Sequence, residues 1–129
     1  MRHSGLWHPR LLALIAGMGH GHLLVVADPG LPVPDGVEIV DLVVTRGEPG
    51  LVGVLRPVLA ELVVERATLA EELCDAKLVE DLTSLLGDTP IDRVSHDELK
   101  AATGRATAVV RTGEDTPYAN IVLQAGVPF

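Results

Sequence analysis

The chain has 129 residues, 13.6 kDa, a formal net charge of -8 and a pI near 4.9; that length suits a single domain spanning residues 1–129, and the acidity excludes the broad basic surface that nucleic acid requires. Its one cysteine, Cys74, cannot close an internal disulfide, and no Cys/His zinc spacing occurs, which fits a reducing cytoplasm. The longest early apolar run, Leu11 to Gly19, falls far short of the about 18 to 20 residues that span a bilayer, and with Arg10 abutting it and His20 behind it the pattern makes a poor signal peptide.

Leu11, Leu12, Leu14 and Ile15 recur at helical spacing after Pro9, predicting a helix over His8 to Gly17 that Gly17 and Gly19 stop. Leu23 to Ala27 is a continuous aliphatic run, the pattern of a strand buried on both faces, and Pro29-Gly30 force a turn at its carboxyl end. With a period of two, His20, His22, Leu24, Val26 and Asp28 share one face, provided that the backbone is already extended at His20. LPVPDG is a turn, and Val37 to Val44 reads as a second strand interrupted by Asp41. From Glu48, helical spacing at Leu51, Val54, Leu55, Val58, Leu59 and Leu62 predicts a helix that Pro57 either kinks or starts. Leu62 to Leu69 reads as a strand whose alternation breaks at Glu65 and Arg66, and Asp75 to Leu86 as an amphipathic helix stopped by Gly87.

Ile91 to Val94 is a short strand. Ser95 and Glu98 have capping-box spacing, so a helix from there to about Thr103 has His96 in its first turn. Ala106 to Arg111 and Ala119 to Gln124 are two further strands, joined by TGEDTPY and readable as a hairpin with a polar loop. Strands and helices alternate through much of the chain, which predicts a single layered α/β domain. Hydrophobic residues make up 47% of the chain although only Trp7, Tyr118 and Phe129 are aromatic, and the terminal AGVPF is apolar. So many aliphatic side chains on so small a domain predict contacts between subunits.

The groups suited to chemistry are few. His20 is either a helix-terminal hydrogen-bonding histidine or, framed by Gly19 and Gly21 where a ligand can approach, a proton-transfer group. With His22 it forms an HxH pair, a metal site only if His96 or Asp28 supplies a third ligand. Asp28 is an Asx-turn acceptor before Pro29-Gly30 or a site carboxylate, and His96 is a solvated residue behind a cap or its partner in a pocket. Tyr118 and Asn120 offer a phenol and an amide to ligand hydroxyls. No GxGxxG after a strand, GxxxxGK[ST] or G-x-S-x-G occurs, which argues against nucleotide use and a serine nucleophile. Cys74 reads as structural.

MGHGHLLVVADPGLPVP, IVDLVVTRGEPG with ERATLAEEL, VSHDELK and VVRTGEDTPYANIVLQAGV together resemble the RbsD/FucU family of sugar mutarotases almost end to end. The resemblance implies a central mixed sheet flanked by helices, and a cytoplasmic, cofactor-free enzyme that interconverts the pyranose and furanose forms of ribose. It also implies a ring of identical subunits, a pentamer or a stacked decamer, with neither nucleic acid nor membrane as partner. It places the catalytic histidine on His20 and the sugar-binding positions on Asp28, His96, Tyr118, Ala119 and Asn120. GLPVP and PYAN resemble the ribose branch rather than the fucose one, the alternatives being a mutarotase for fucose or another monosaccharide, or a non-catalytic sugar-binding subunit. The pattern departs at His22, where an acid that can orient His20 by a hydrogen bond is usual.

Overall fold

The computed structural model describes residues 1–129, with ten elements in the order α1 (Pro9–Gly17), β1 (Leu23–Ala27), β2 (Glu38–Asp41), α2 (Leu51–Glu61), β3 (Val64–Ala70), α3 (Ala76–Leu86), β4 (Ile91–Val94), α4 (His96–Thr103), β5 (Ala106–Arg111) and β6 (Ile121–Ala125). Six strands form one mixed sheet in the order β2-β5-β1-β6-β3-β4. β6 runs antiparallel to both β1 and β3, whereas the β1/β5, β2/β5 and β3/β4 pairs are parallel. β1 lies inside the sheet, and Leu24 to Ala27 are fully buried, as the unbroken aliphatic run requires. Alternate side chains go to two cores. Leu24 and Val26 join α1, α2 and α3 in the larger, through Leu11, Leu55 and Leu82 among others, while Val25 and Ala27 pack with Leu99 of α4 on the opposite face.

The caps explain the helix boundaries. Asp75 accepts from Leu78 N–H at 2.9 Å to start α3, and Gly87, at φ 55, ends it. Ser95 and Glu98 make the reciprocal capping box of α4. Three expectations are corrected and one open alternative, the place of Pro57, is decided. β2 stops at Asp41, whose carboxylate accepts from Val43 N–H two residues on and so turns the chain out of the ladder. α2 starts at Leu51, where the Glu114 carboxylate accepts the backbone N–H, and Pro57 lies inside the helix instead of starting it. Leu62 caps α2, donating its N–H to Val58 O, so β3 begins only at Val64. β5 and β6 form no hairpin, because β1 lies between them. Residues 112–120 are too short for a helical crossover, so β6 returns antiparallel from the edge at which β5 ends.

Candidate active site

The parallel arrangement brings the carboxyl ends of β1, β3, β4 and β5 to one edge of the sheet, together with the amino end of β6. Asp28 follows β1 there, His96 is the first residue of α4 after β4, and residues 112–120 cross the same edge. Asp28, Gly30, Leu31, His96, Pro117 and Tyr118 line a cavity of about 290 Å³. That is the lower limit of ligand pockets, about 300 Å³, and suits a monosaccharide better than a nucleotide. The carboxyl edge of an α/β sheet is where such ligands bind.

Each group in this pocket is held. Asp28 accepts from Gly30 N–H at 2.8 Å, the expected Asx turn, and its second carboxylate oxygen accepts from Asn120 Nδ2 at 3.0 Å. Asn120 Oδ1 accepts in turn from Asp28 N–H at 2.9 Å. Asn120 and Ala119 are fully buried, so Asn120 acts here on Asp28 and Ala119 can offer only backbone. Tyr118 takes φ 62, a left-handed conformation that costs an ordinary residue of order 1 kcal/mol and is found where a site demands it. Its ring meets that of His96 edge-on at 5.0 Å. The Glu72 carboxylate accepts the His96 backbone N–H at 2.9 and 3.1 Å, and the buried His96 Nδ1 has no protein partner.

His20 lies elsewhere. The backbone turns at residues 20 and 21, with Gly21 at φ 83, so the expected shared face of His20 and Asp28 does not form. This turn hangs on the end of β6 through Gly21 N–H to Ala125 O and Ala125 N–H to His22 O, both 2.8 Å. His20 therefore sits at the amino edge of β1, across a strand about 13 Å long from Asp28. Its Nε2 is 2.8 Å from Glu65 Oε2, and Glu65 Oε1 accepts from Gln124 Nε2 at 2.5 Å. These bonds, that of His20 first, hold the Glu65 carboxyl below the ordinary carboxylate range.

His22 turns the other way, its Nδ1 accepting from Gly19 N–H at 3.0 Å. The HxH reading loses its ligand set, since the two imidazoles face different partners and His96 and Asp28 lie at the opposite edge. No three His, Cys, Asp or Glu side chains converge to hold a metal. Cys74 is exposed rather than packed as a structural residue. Glu65 and Glu72 are the residues that sequence reasoning missed; the broken alternation at Glu65-Arg66 was the one available signal for Glu65. A roomier cavity of about 560 Å³ is lined by Leu6, Leu11, Val44, Pro49, Val54 and Pro57 among others, but Glu48 is its only charged side chain, too few polar groups to match the hydroxyls of a sugar.

Comparison with known proteins sets these features in a family. The family model described as the RbsD / FucU transport protein family matches residues 1–128. A D-ribose pyranase of Symbiobacterium thermophilum is 49% identical, with all of both chains covered. Among solved structures, Bacillus subtilis RbsD complexed with D-ribose superimposes with a TM-score of 0.95 at 40% identity over all of both chains. FucU from Bifidobacterium longum follows at 0.83 and 26% identity, covering 95% of this chain and 97% of that one. With a family model that matches residues 1–128 and a fold that overlaps that of RbsD over all of both chains, the chain belongs to the RbsD / FucU family.

Proposed function

We propose that this protein is a D-ribose pyranase, interconverting the pyranose and furanose forms of ribose by acid–base ring opening and reclosure. The observation that carries this reading is the end-to-end likeness to a D-ribose pyranase at 49% identity, joined to the overlap with an RbsD that was solved with D-ribose bound. FucU, at 26% identity, supports the fucose alternative less well. Opening a cyclic hemiacetal needs a proton delivered to the ring oxygen and one removed from the anomeric hydroxyl. Reclosure through a different hydroxyl then changes the ring size. His20 is the proton donor. Asp28, His96 and Tyr118 hold the sugar hydroxyls, Asn120 fixes Asp28, and Ala119 supplies backbone; no cofactor takes part.

His20 and this pocket are at opposite edges of one sheet, farther apart than a single pentose can bridge. The working site therefore combines His20 of one copy with the pocket of its neighbour in a closed ring, a pentamer or decamer. Exposed apolar residues, Val44, Val127 and Phe129 among them, support contacts between copies. No helix is long and apolar enough to cross a membrane, and the free Cys74 fits a reducing cytoplasm.

Line broadening of the anomeric ribose signals measures ring exchange, and calorimetry measures affinity separately. His20→Ala is expected to slow exchange by about two orders of magnitude, within the range for a general acid–base group, with affinity little changed. Asp28→Ala is expected to weaken binding at least as much as turnover. Unchanged exchange in His20→Ala would overturn the mechanism, and a native protein that binds ribose without accelerating exchange would make it a sugar-binding subunit.

A further inference from the structure

The residues that hold His20 are as specific as those that line the pocket. Glu65 lies where the β3/β6 register shifts between Val64 and Arg66, an irregularity of the kind that re-aims a side chain beside a site. Gly126 lies against it, so that a methyl added at Gly126 would sit 3.0 Å from Glu65 Cβ, and Gly126 N–H is fixed to Val63 O at 2.9 Å. Gln124 clamps one carboxylate oxygen and the other meets His20 Nε2. The turn that carries His20 hangs on Ala125, the residue after Gln124. Both partners of the His20–Glu65 contact are thus anchored to the end of β6. His22 faces the Gly19 amide, its Nδ1 accepting that N–H.

From this geometry we infer that Glu65 is the positioning residue of His20: by accepting Nε2–H it orients the ring and leaves Nδ1 as the nitrogen that exchanges the proton with the sugar. The inference rests on the reading of His20 as proton donor. A carboxylate on one imidazole nitrogen selects the tautomer and frees the other nitrogen for chemistry. Glu65, held ionised by His20 and Gln124, stays an acceptor throughout the neutral range; Arg66, beside it, is paired with Asp92.

In the forward step the doubly protonated imidazolium of His20, its Nε2–H held by Glu65, gives its Nδ1 proton to the ring oxygen as the bond from that oxygen to the anomeric carbon breaks, the bonding pair staying on oxygen and the neutral Nε2–H tautomer being left. The anomeric hydroxyl gives its proton to the Asp28 carboxylate of the neighbouring copy, and its O–H pair becomes the second bond of the carbonyl. Reclosure through another hydroxyl reverses both transfers, so His20 and Asp28 regain their starting states.

The test uses the full-length protein labelled with ¹⁵N in histidine. Neutral His20 is expected to carry its proton on Nε2, read from its two ring-nitrogen shifts, and to become a tautomer mixture in Glu65→Ala. Both side chains are more than a third exposed, so truncating Glu65 spares the core. Glu65→Ala is expected to slow ribose exchange by about 10- to 100-fold with unchanged ribose affinity, and Glu65→Gln, which keeps an acceptor oxygen, to lose less. A proton on Nδ1 in the native protein, or native exchange in Glu65→Ala, overturns the inference. If His20→Ala is slow while Glu65→Ala is not, only the positioning role fails; if His20→Ala is itself native in rate, the proton-donor reading fails with it.

Discussion

At the scale of single residues, the pocket depends on a pair that contributes little surface of its own. Asn120 is fully buried and takes Asp28 at both ends of its amide, donating to the carboxylate and accepting from the backbone N–H. Its position beside Tyr118, with the strained φ of 62, makes the PYAN turn a fitted clamp instead of a loose loop. Asn120→Ala removes both bonds and leaves a partly buried N–H of Asp28 without its acceptor. It is expected to lower unfolding free energy by about 1–3 kcal/mol, measured by denaturant titration, and to weaken ribose binding. A variant of native stability and affinity would show that Asp28 needs no such support.

Among the elements, α4 links stability to the site most directly. It covers its face of the sheet through Leu99, its capping box holds its first turn, and that turn presents His96 to the pocket. Ser95→Ala deletes one half of the box and is expected to cost about 1 kcal/mol, read as a lowered midpoint of thermal unfolding. Because the frayed residue would be His96 itself, ribose affinity is expected to fall as well. Loss of stability with fully native affinity would separate the cap from the site. β6 has a comparable role at both edges. Asn120 precedes it at the carboxyl edge, while Gln124 and Ala125 near its end hold Glu65 and the His20 turn.

For the molecule as a whole, the decisive fact is that the sheet separates His20 from Asp28. The composite site proposed above predicts complementation between defective copies. His20→Ala and Asp28→Ala proteins, each slow alone, are unfolded together and refolded as a mixture. Random assortment makes about one site in four native on both sides, and exchange is expected to recover accordingly. A mixture no faster than the average of its two parents would place the whole site within one chain and remove the need for a ring.

Much of this was already written in local sequence. The aliphatic run Leu23 to Ala27 determined a buried strand, Ser95 with Glu98 a helix start at His96, Asp75 and Gly87 the limits of α3, and Asp28-Pro29-Gly30 an Asx turn at a strand end, since each depends on residues within a few positions of one another. The motifs from GHGH to PYAN were enough to mark the family. The tertiary structure alone decided the rest. Whether β6 would pair with β5 or β1 depended on which strand the sheet placed beside it, and a proline that propensity disfavours inside a helix was accepted in α2 because packing against the core outweighed the lost hydrogen bond. The contact between His20 and Glu65 joins residues 45 positions apart, so no local pattern could announce it. The separation of His20 from Asp28 was hidden for the opposite reason: eight positions apart along the chain, they are held at opposite edges because the strand between them is extended and buried.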